Sequence, residues 1–385
     1  MKRDIDFTIY ENNRINNYIL KDIDKIKKLI LKIIPKTLTI LLVGGFGRGE
    51  GSFFIKDGEY HPINDYDFIV IVKTINRKKK IKLAQISKFL ANYLKIDFVD
   101  IILVSLNQLK KPNFQRTIFY YESLNGHLII FDRINIEEKL IKINFSLIKS
   151  SEIHKLLFNR ALCLLEARNR YLKNRVTEDN HEDYQYLIRQ TSKAIIACSD
   201  TILLINGNFH YLYLERCKIF QHLPNISDDD KKLVKLATTI KLIPSKYKLI
   251  EDPIVYWKRA IRMFSKISRS FFSQYLRLPR NYSTWEFLNM YYKMFYSKVF
   301  FLFKKFEKII LHNFISYSFY KYLFWGFRIY DEISLSQLIL IDNYDNKPLK
   351  KNICKILSNL LKVDSILNWE EYRKISINLW YKYKH

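Results

Sequence analysis

Five of the chain's nine glycines fall between Gly44 and Gly51, directly after the apolar run TLTILLV and shortly before a second one, DYDFIVIV, that carries two aspartates. A run of branched apolar residues that stops at a glycine pair reads as a buried strand entering a turn. With no side chains in the way, the Gly44 and Gly45 amides are open to close approach by a phosphate, and a helical turn over Phe46 to Gly51 would point its N-terminus at the same place. Arg48 stands where it either reaches that phosphate or ties the turn down. The run matches neither the G-x-G-x-x-G fingerprint nor a P-loop, because no Gly-Lys-Ser/Thr follows.

Asp65 and Asp67 are two apart, so on a strand both project to one side; Ile69 and Ile71 continue that face, while Phe68 and Val70 line the other. Carboxylates held that close repel unless a cation sits between them. Mg²⁺, which takes one or two carboxylates together with substrate phosphates, meets that need. The plainer alternative is a solvated strand end after an Asn-Asp turn. A third acid comes from KIDFVDIILV, where Asp97 and Asp100 lie three apart and hence on opposite faces. An unpaired carboxylate inside an apolar run is costly, so one of them is expected at a polar site. Asp100, central between Val99 and Ile101, is the expected one; Asp97, nearer the strand end, is the alternative.

The three-part pattern GGFGRGE, NDYDFIVIV and VDIILV resembles the nucleotidyltransferase fold of the DNA polymerase β superfamily, and is similar to the GGxGRGE and SDxDL block of bacterial uridylyltransferase-type enzymes. The resemblance covers roughly Leu41 to Asp132. It implies a small mixed sheet carrying three catalytic carboxylates, Asp65, Asp67 and Asp100, which would also be the ligands of Mg²⁺ or Mn²⁺. It further implies nucleotide binding at Gly44, Gly45 and Arg48, with a nucleoside triphosphate as substrate. One departure is the longer spacing from the glycine pair to the first aspartate, filled by SFFIKDGEYHPI. Its Asp57-Gly58 pair between alternating stretches predicts a β-hairpin, with Lys56 or His61 reaching a phosphate or the hairpin a bare surface insertion.

Around that block the first third alternates strand and helix patterns: helix over 17–34 ended by Pro35, strands at 37–45, 67–72, 97–104 and 127–131, and a helix over 79–94. From about Glu137 long helical patterns take over and glycine nearly disappears. The expected class is therefore α+β: a small mixed-sheet nucleotidyltransferase domain over 1–145, followed by a mainly α-helical acceptor-binding domain over 146–385. Lys193, Asp200, Tyr211 and Arg216 are candidates for a cleft wall, in a stretch that resembles a segment of related nucleotidyltransferases. The stretch RVTEDNH, Arg175 to His181, resembles the Arg-to-His spacing of HEPN ribonucleases.

Composition narrows the partners. Hydrophobic residues at 48% and charged residues at 27% describe a globular chain. The net charge of +27 favours polyanions, although the lysines are dispersed along the chain. Four cysteines without a Cys-x-x-Cys pair read as free thiols in a reducing compartment. No apolar leader opens the chain, and no apolar run reaches the ~20 residues of a membrane span, so a cytoplasmic location is expected. The acceptor is a small molecule, a protein or an RNA end. The alternatives are a non-catalytic nucleotide- or RNA-binding module of the same fold, or a protein resting on a lipid surface through the Lys-rich aromatic helices around Tyr291 to Tyr330.

Overall fold

The computed structural model describes residues 6–10, 12–56, 59–63, 65–96, 98–109, 111, 116–140, 143–173, 181–294, 331–345 and 348–383. Asp97, the Asp57-Gly58 turn, most of Arg175 to His181 and most of Tyr291 to Tyr330 lie outside them. The elements run α1 (Asn13–Ile33), β1 (Thr37–Val43), α2 (Gly44–Gly47), β2 (Phe53–Lys56), β3 (Glu59–Pro62), β4 (Tyr66–Val72), α3 (Arg77–Leu94), β5 (Val99–Ser105), α4 (Leu106–Leu109), α5 (Ile118–Asn125) and β6 (Leu128–Asp132). Helices follow: α6 (Ser150–Lys173), α7 (His181–Ile205), α8 (Tyr213–His222), α9 (Asp228–Leu242), α10 (Pro253–Tyr275), α11 (284–294), α12 (331–342), α13 (Lys351–Leu361) and α14 (Trp369–Tyr383).

The chain is thus mixed α and β, and it divides into two compact units. The first is Met1–Glu152 with Leu203–Leu249, the second Ile153–Ile202 with Ile250–His385. The division differs from the sequence expectation of one helical domain over 146–385, because α8 and α9 belong with the sheet. The reason is chemical and lies in a buried ion cluster described below.

In the first unit the sheet order is β5-β4-β1-β6, with β4 and β5 parallel and β1 antiparallel to both β4 and β6. Parallel neighbours need a crossover, and α3 supplies it. One face of the sheet packs Ile40, Leu42, Tyr66, Phe68, Val70 and Val72 against α1 and α3. Helix α1 forms because Ile15, Ile19, Ile23, Ile26 and Ile30 make one apolar stripe, and because the Asn12 side chain accepts from the Arg14 and Ile15 amides at its start. The opposite face presents Leu41, Val43, Ile69 and Ile71, all fully buried, and at its end Asp67. β2 and β3 pair antiparallel from Phe53↔Pro62 to Lys56↔Glu59, which is the hairpin expected around Asp57-Gly58.

Every regular element among the second unit's described residues is a helix. Buried aromatics find backbone partners: the Trp257 indole donates to the Leu164 carbonyl and the Trp369 indole to that of Leu340, each at 2.8 Å. Arg373 is buried between Glu370, Asn169 and the Leu165 carbonyl. His154 sits among Phe158, Phe272 and Tyr291, with its Nε2 3.1 Å from the Tyr291 hydroxyl. All four cysteines are free thiols, Cys198 and Cys354 buried. Among the described residues no helix is long and apolar enough to cross a membrane.

Candidate functional site

β1 ends at Val43, opposite Asp67 in the antiparallel ladder, so the chain turns off the sheet beside that aspartate. Gly44 takes φ +66°, and a Cβ built on it would fall 1.9 Å from Asp67 Oδ2. Only glycine satisfies both conditions, the left-handed backbone and the missing carbon. On its other side Asp67 stands in register with Asp100 across the parallel β4–β5 ladder, so the two carboxylates leave neighbouring strands on one face. Asp65 immediately precedes β4. Asp65 and Asp67 are half-buried, Asp100 exposed.

The electrostatics register this grouping. Burial pushes the Asp67 carboxyl up to about 7, the charges of Asp65 and Asp100 push it further the same way, and Arg48 and Lys241 pull it down. Two of the three carboxylates therefore act on the third. The donor set is carboxylate oxygen only, which suits a hard divalent cation, and such an ion would relieve the repulsion at Asp67. Among the described residues no three His, Cys, Asp or Glu side chains group closely enough to hold a metal by themselves. A cation here would take its remaining ligands from elsewhere, and phosphate oxygens are the usual supplement.

The rest of the glycine turn is fixed by ions rather than left open. Arg48, which the sequence places either on a phosphate or as a tie for the turn, has only 4% of its side chain exposed and donates to Glu122 of α5 at 3.1 Å. Its Nε also lies 3.7 Å from Glu50. These contacts fill the second of the two roles. Gly126 makes room for it, since a Cβ there would meet Arg48 Cγ at 2.5 Å. Arg216 of α8 reaches the other Glu122 oxygen at 3.0 Å, and its guanidinium lies 4.1 Å from the Tyr213 ring centroid. Glu50 accepts from the Tyr213 and Leu214 amides at 2.8 and 2.9 Å, where its charge also complements the start of α8. Ser52 donates to the Lys241 carbonyl of α9 at 2.5 Å.

Of the residues proposed from sequence, Gly44, Asp65, Asp67 and Asp100 come together, and Gly45 is buried inside the turn. Arg216 joins the ion cluster, and Tyr211 packs by Gly126. Lys193 and Asp200 belong to the second unit. His61 stacks on Phe54 at 5.1 Å. Sequence reading missed Glu50, Glu122, Tyr213 and Lys241. Glu50 lies within the quoted GRGE run, but its partners are 163 and 164 positions away, and no local pattern announces such a pairing. The chain matches no protein-family model and is significantly similar to no curated protein.

Proposed function

We propose that the chain is a nucleotidyltransferase of the DNA polymerase β superfamily, moving a nucleoside monophosphate from a nucleoside triphosphate to an acceptor hydroxyl. The observation that carries this reading is the in-register pair Asp67 and Asp100, with Asp65 close by, packed against a glycine turn that has given up its Cβ to the carboxylate.

In this reading the Gly44 and Gly45 turn receives the triphosphate. Asp65, Asp67 and Asp100 would hold Mg²⁺ or Mn²⁺ together with triphosphate oxygens, and the ion would supply neutralisation of phosphate charge. The acceptor oxygen forms a bond to the α-phosphorus, the bond from that phosphorus to the β-phosphate oxygen breaks, and pyrophosphate leaves. Asp100, the most exposed of the three, takes the hydroxyl proton. Arg48 and Lys241 act on Asp67 in the opposite sense to Asp65 and Asp100, and so partly offset the negative charge that a triphosphate would meet. Positioning and charge stabilisation account for most of such catalysis. The sheet unit is the catalytic domain in this reading, with α8 and α9 serving as the brace of the glycine turn.

The test is incubation of the chain with each labelled nucleoside triphosphate, Mg²⁺ or Mn²⁺, and cell extract divided into RNA, protein and small-molecule fractions. One fraction should acquire label, and Asp67→Asn or Asp65→Asn should remove it while the far-ultraviolet spectrum is unchanged. Undiminished labelling by either variant would exclude the assignment.

A further inference from the structure

The 24 residues from Lys73 to Ile96 contain eight Lys or Arg and no Asp or Glu. Most of them form α3, which turns Leu83, Ile86, Leu90, Ala91 and Leu94 into the core and its cations outward. Among those cations two aromatic rings remain in solvent. Phe89 and Tyr93, one helical turn apart, are each 59% exposed, and Phe98, shortly beyond the helix, is 62% exposed. The Phe89 and Tyr93 rings lie at 11° with centroids 6.0 Å apart, so they present nearly parallel planes. Lys25 Nζ, reaching over from α1, stands 5.4 Å from the Tyr93 centroid.

Two acids of the neighbouring α1 are already matched. Asp22 is buried against the Tyr66 hydroxyl and Lys25, and Asp24 is bracketed by Lys27 and Lys28 at 2.7 Å each. Along α3 itself a polyanion meets cations and flat rings, and the helix contributes no carboxylate of its own.

From this we infer that the outer face of α3 binds single-stranded nucleic acid, its bases stacking on Phe89, Tyr93 and Phe98 and its phosphates lying along the flanking lysines. Stacking on aromatic rings combined with a cationic track is how sequence-tolerant binding of single strands is achieved. A lipid surface fits less well, because an interfacial helix spends its apolar face on the membrane, whereas α3 has spent that face on the sheet. A duplex offers no free base planes to the rings. The inference concerns this surface alone and does not require the transfer reaction.

Fluorescence polarisation of labelled oligouridylate, oligothymidylate and a blunt duplex, titrated with the full chain over a range of salt, tests it. Phe89→Ala/Tyr93→Ala should weaken binding of the single strands by at least about tenfold and leave the duplex unaffected. Lys78→Ala/Lys82→Ala should weaken all three and reduce the slope of log affinity against log salt for single strands by about 1.4. Comparison of the two single strands tells RNA preference from DNA preference. Trp285→Ala, which removes a 62% exposed ring from the second unit, is the control and should bind as the parent does. If the alanine pair does not fold, Phe89→Leu/Tyr93→Leu keeps apolar bulk, removes the rings and should show the same loss. Parental affinity in the folded ring variants, or an equal loss in Trp285→Ala, overturns the inference. So does a variant that keeps its oligonucleotide affinity and loses only binding to phosphatidylserine vesicles, which would assign the face to a membrane.

Discussion

The Asp67 carboxylate occupies the space that a side chain on residue 44 would need, since a Cβ at Gly44 would sit 1.9 Å from its Oδ2. Gly44→Ala must displace that carboxylate and also hold alanine at φ +66°. The expected cost is about 2–4 kcal/mol, read as a shift of the urea midpoint. Asp67→Ala in the same chain removes the collision and leaves only the backbone strain. The double variant should therefore be more stable than the sum of the single losses by at least about 1 kcal/mol. Strict additivity would mean the two residues do not meet.

Asp67 also sets a pH dependence. Its native pKa of about 7 lies above the ordinary carboxyl value of 3.8, so between those values the folded chain holds a proton that the unfolded chain has lost. This group's contribution is full below pH 4 and is lost as pH rises through 7. Asp67→Asn cannot ionise, and should be more stable than the parent at pH 8 by about 2 kcal/mol after allowance for partial exposure, with the advantage gone at pH 4. Excess Mg²⁺ should raise the parent's melting temperature at pH 8 and leave the Asn variant unmoved. Thermal melts at the two pH values measure both effects.

The ion cluster that braces the glycine turn predicts a large single-site effect. Glu122→Gln leaves the Arg48 and Arg216 guanidinium groups buried with their shared carboxylate gone, at a cost of about 3–5 kcal/mol. Glu122→Gln/Arg216→Met should cost less than the two single losses together, because the second change removes one stranded charge. Denaturant titration of the four chains closes the cycle.

In the second unit His154 works with the opposite sign to Asp67. Burial pushes its imidazole down to about 4, so below the ordinary value of 6.5 the unfolded chain takes up a proton that the folded one refuses. Stability from this group is present above pH 6.5 and lost as pH falls through 4, a change of about 3 kcal/mol. His154→Gln retains a hydrogen-bonding group toward the Tyr291 hydroxyl and should flatten the acid limb of a melting-temperature profile. An unchanged acid limb would place the sensitive group elsewhere.

The elements around the candidate site were legible where periodicity was strong and partners local. The strands expected at 67–72 and 97–104 are Tyr66–Val72 and Val99–Ser105, and the helix expected over 79–94 is Arg77–Leu94. The face that Asp67 shares with Ile69 and Ile71 was readable because strand geometry alone fixes it, whereas Asp65 stands just outside β4. Arg48 shows where that reasoning stops. The sequence allows it two roles, and the tie to the turn depends on Glu122 and Glu50 together with a glycine, Gly126, that gives it passage. The membership of α8 in the sheet unit was equally invisible. Tyr213–His222 looks like any short helix until Glu50 is seen accepting from its first amides.

The interruption of the sheet unit by Ile153–Ile202 has a temporal corollary. On a ribosome the strands and the glycine turn are complete long before Arg216 and the α8 amides exist, since at roughly 5–20 residues per second some seconds of synthesis separate them. During that interval Arg48 is already available to Glu50 and Glu122, but the nascent turn lacks the half of its clamp that Arg216 and the α8 amides supply. Maturation of the carboxylate site is thereby deferred until the chain has returned from its excursion into the second unit.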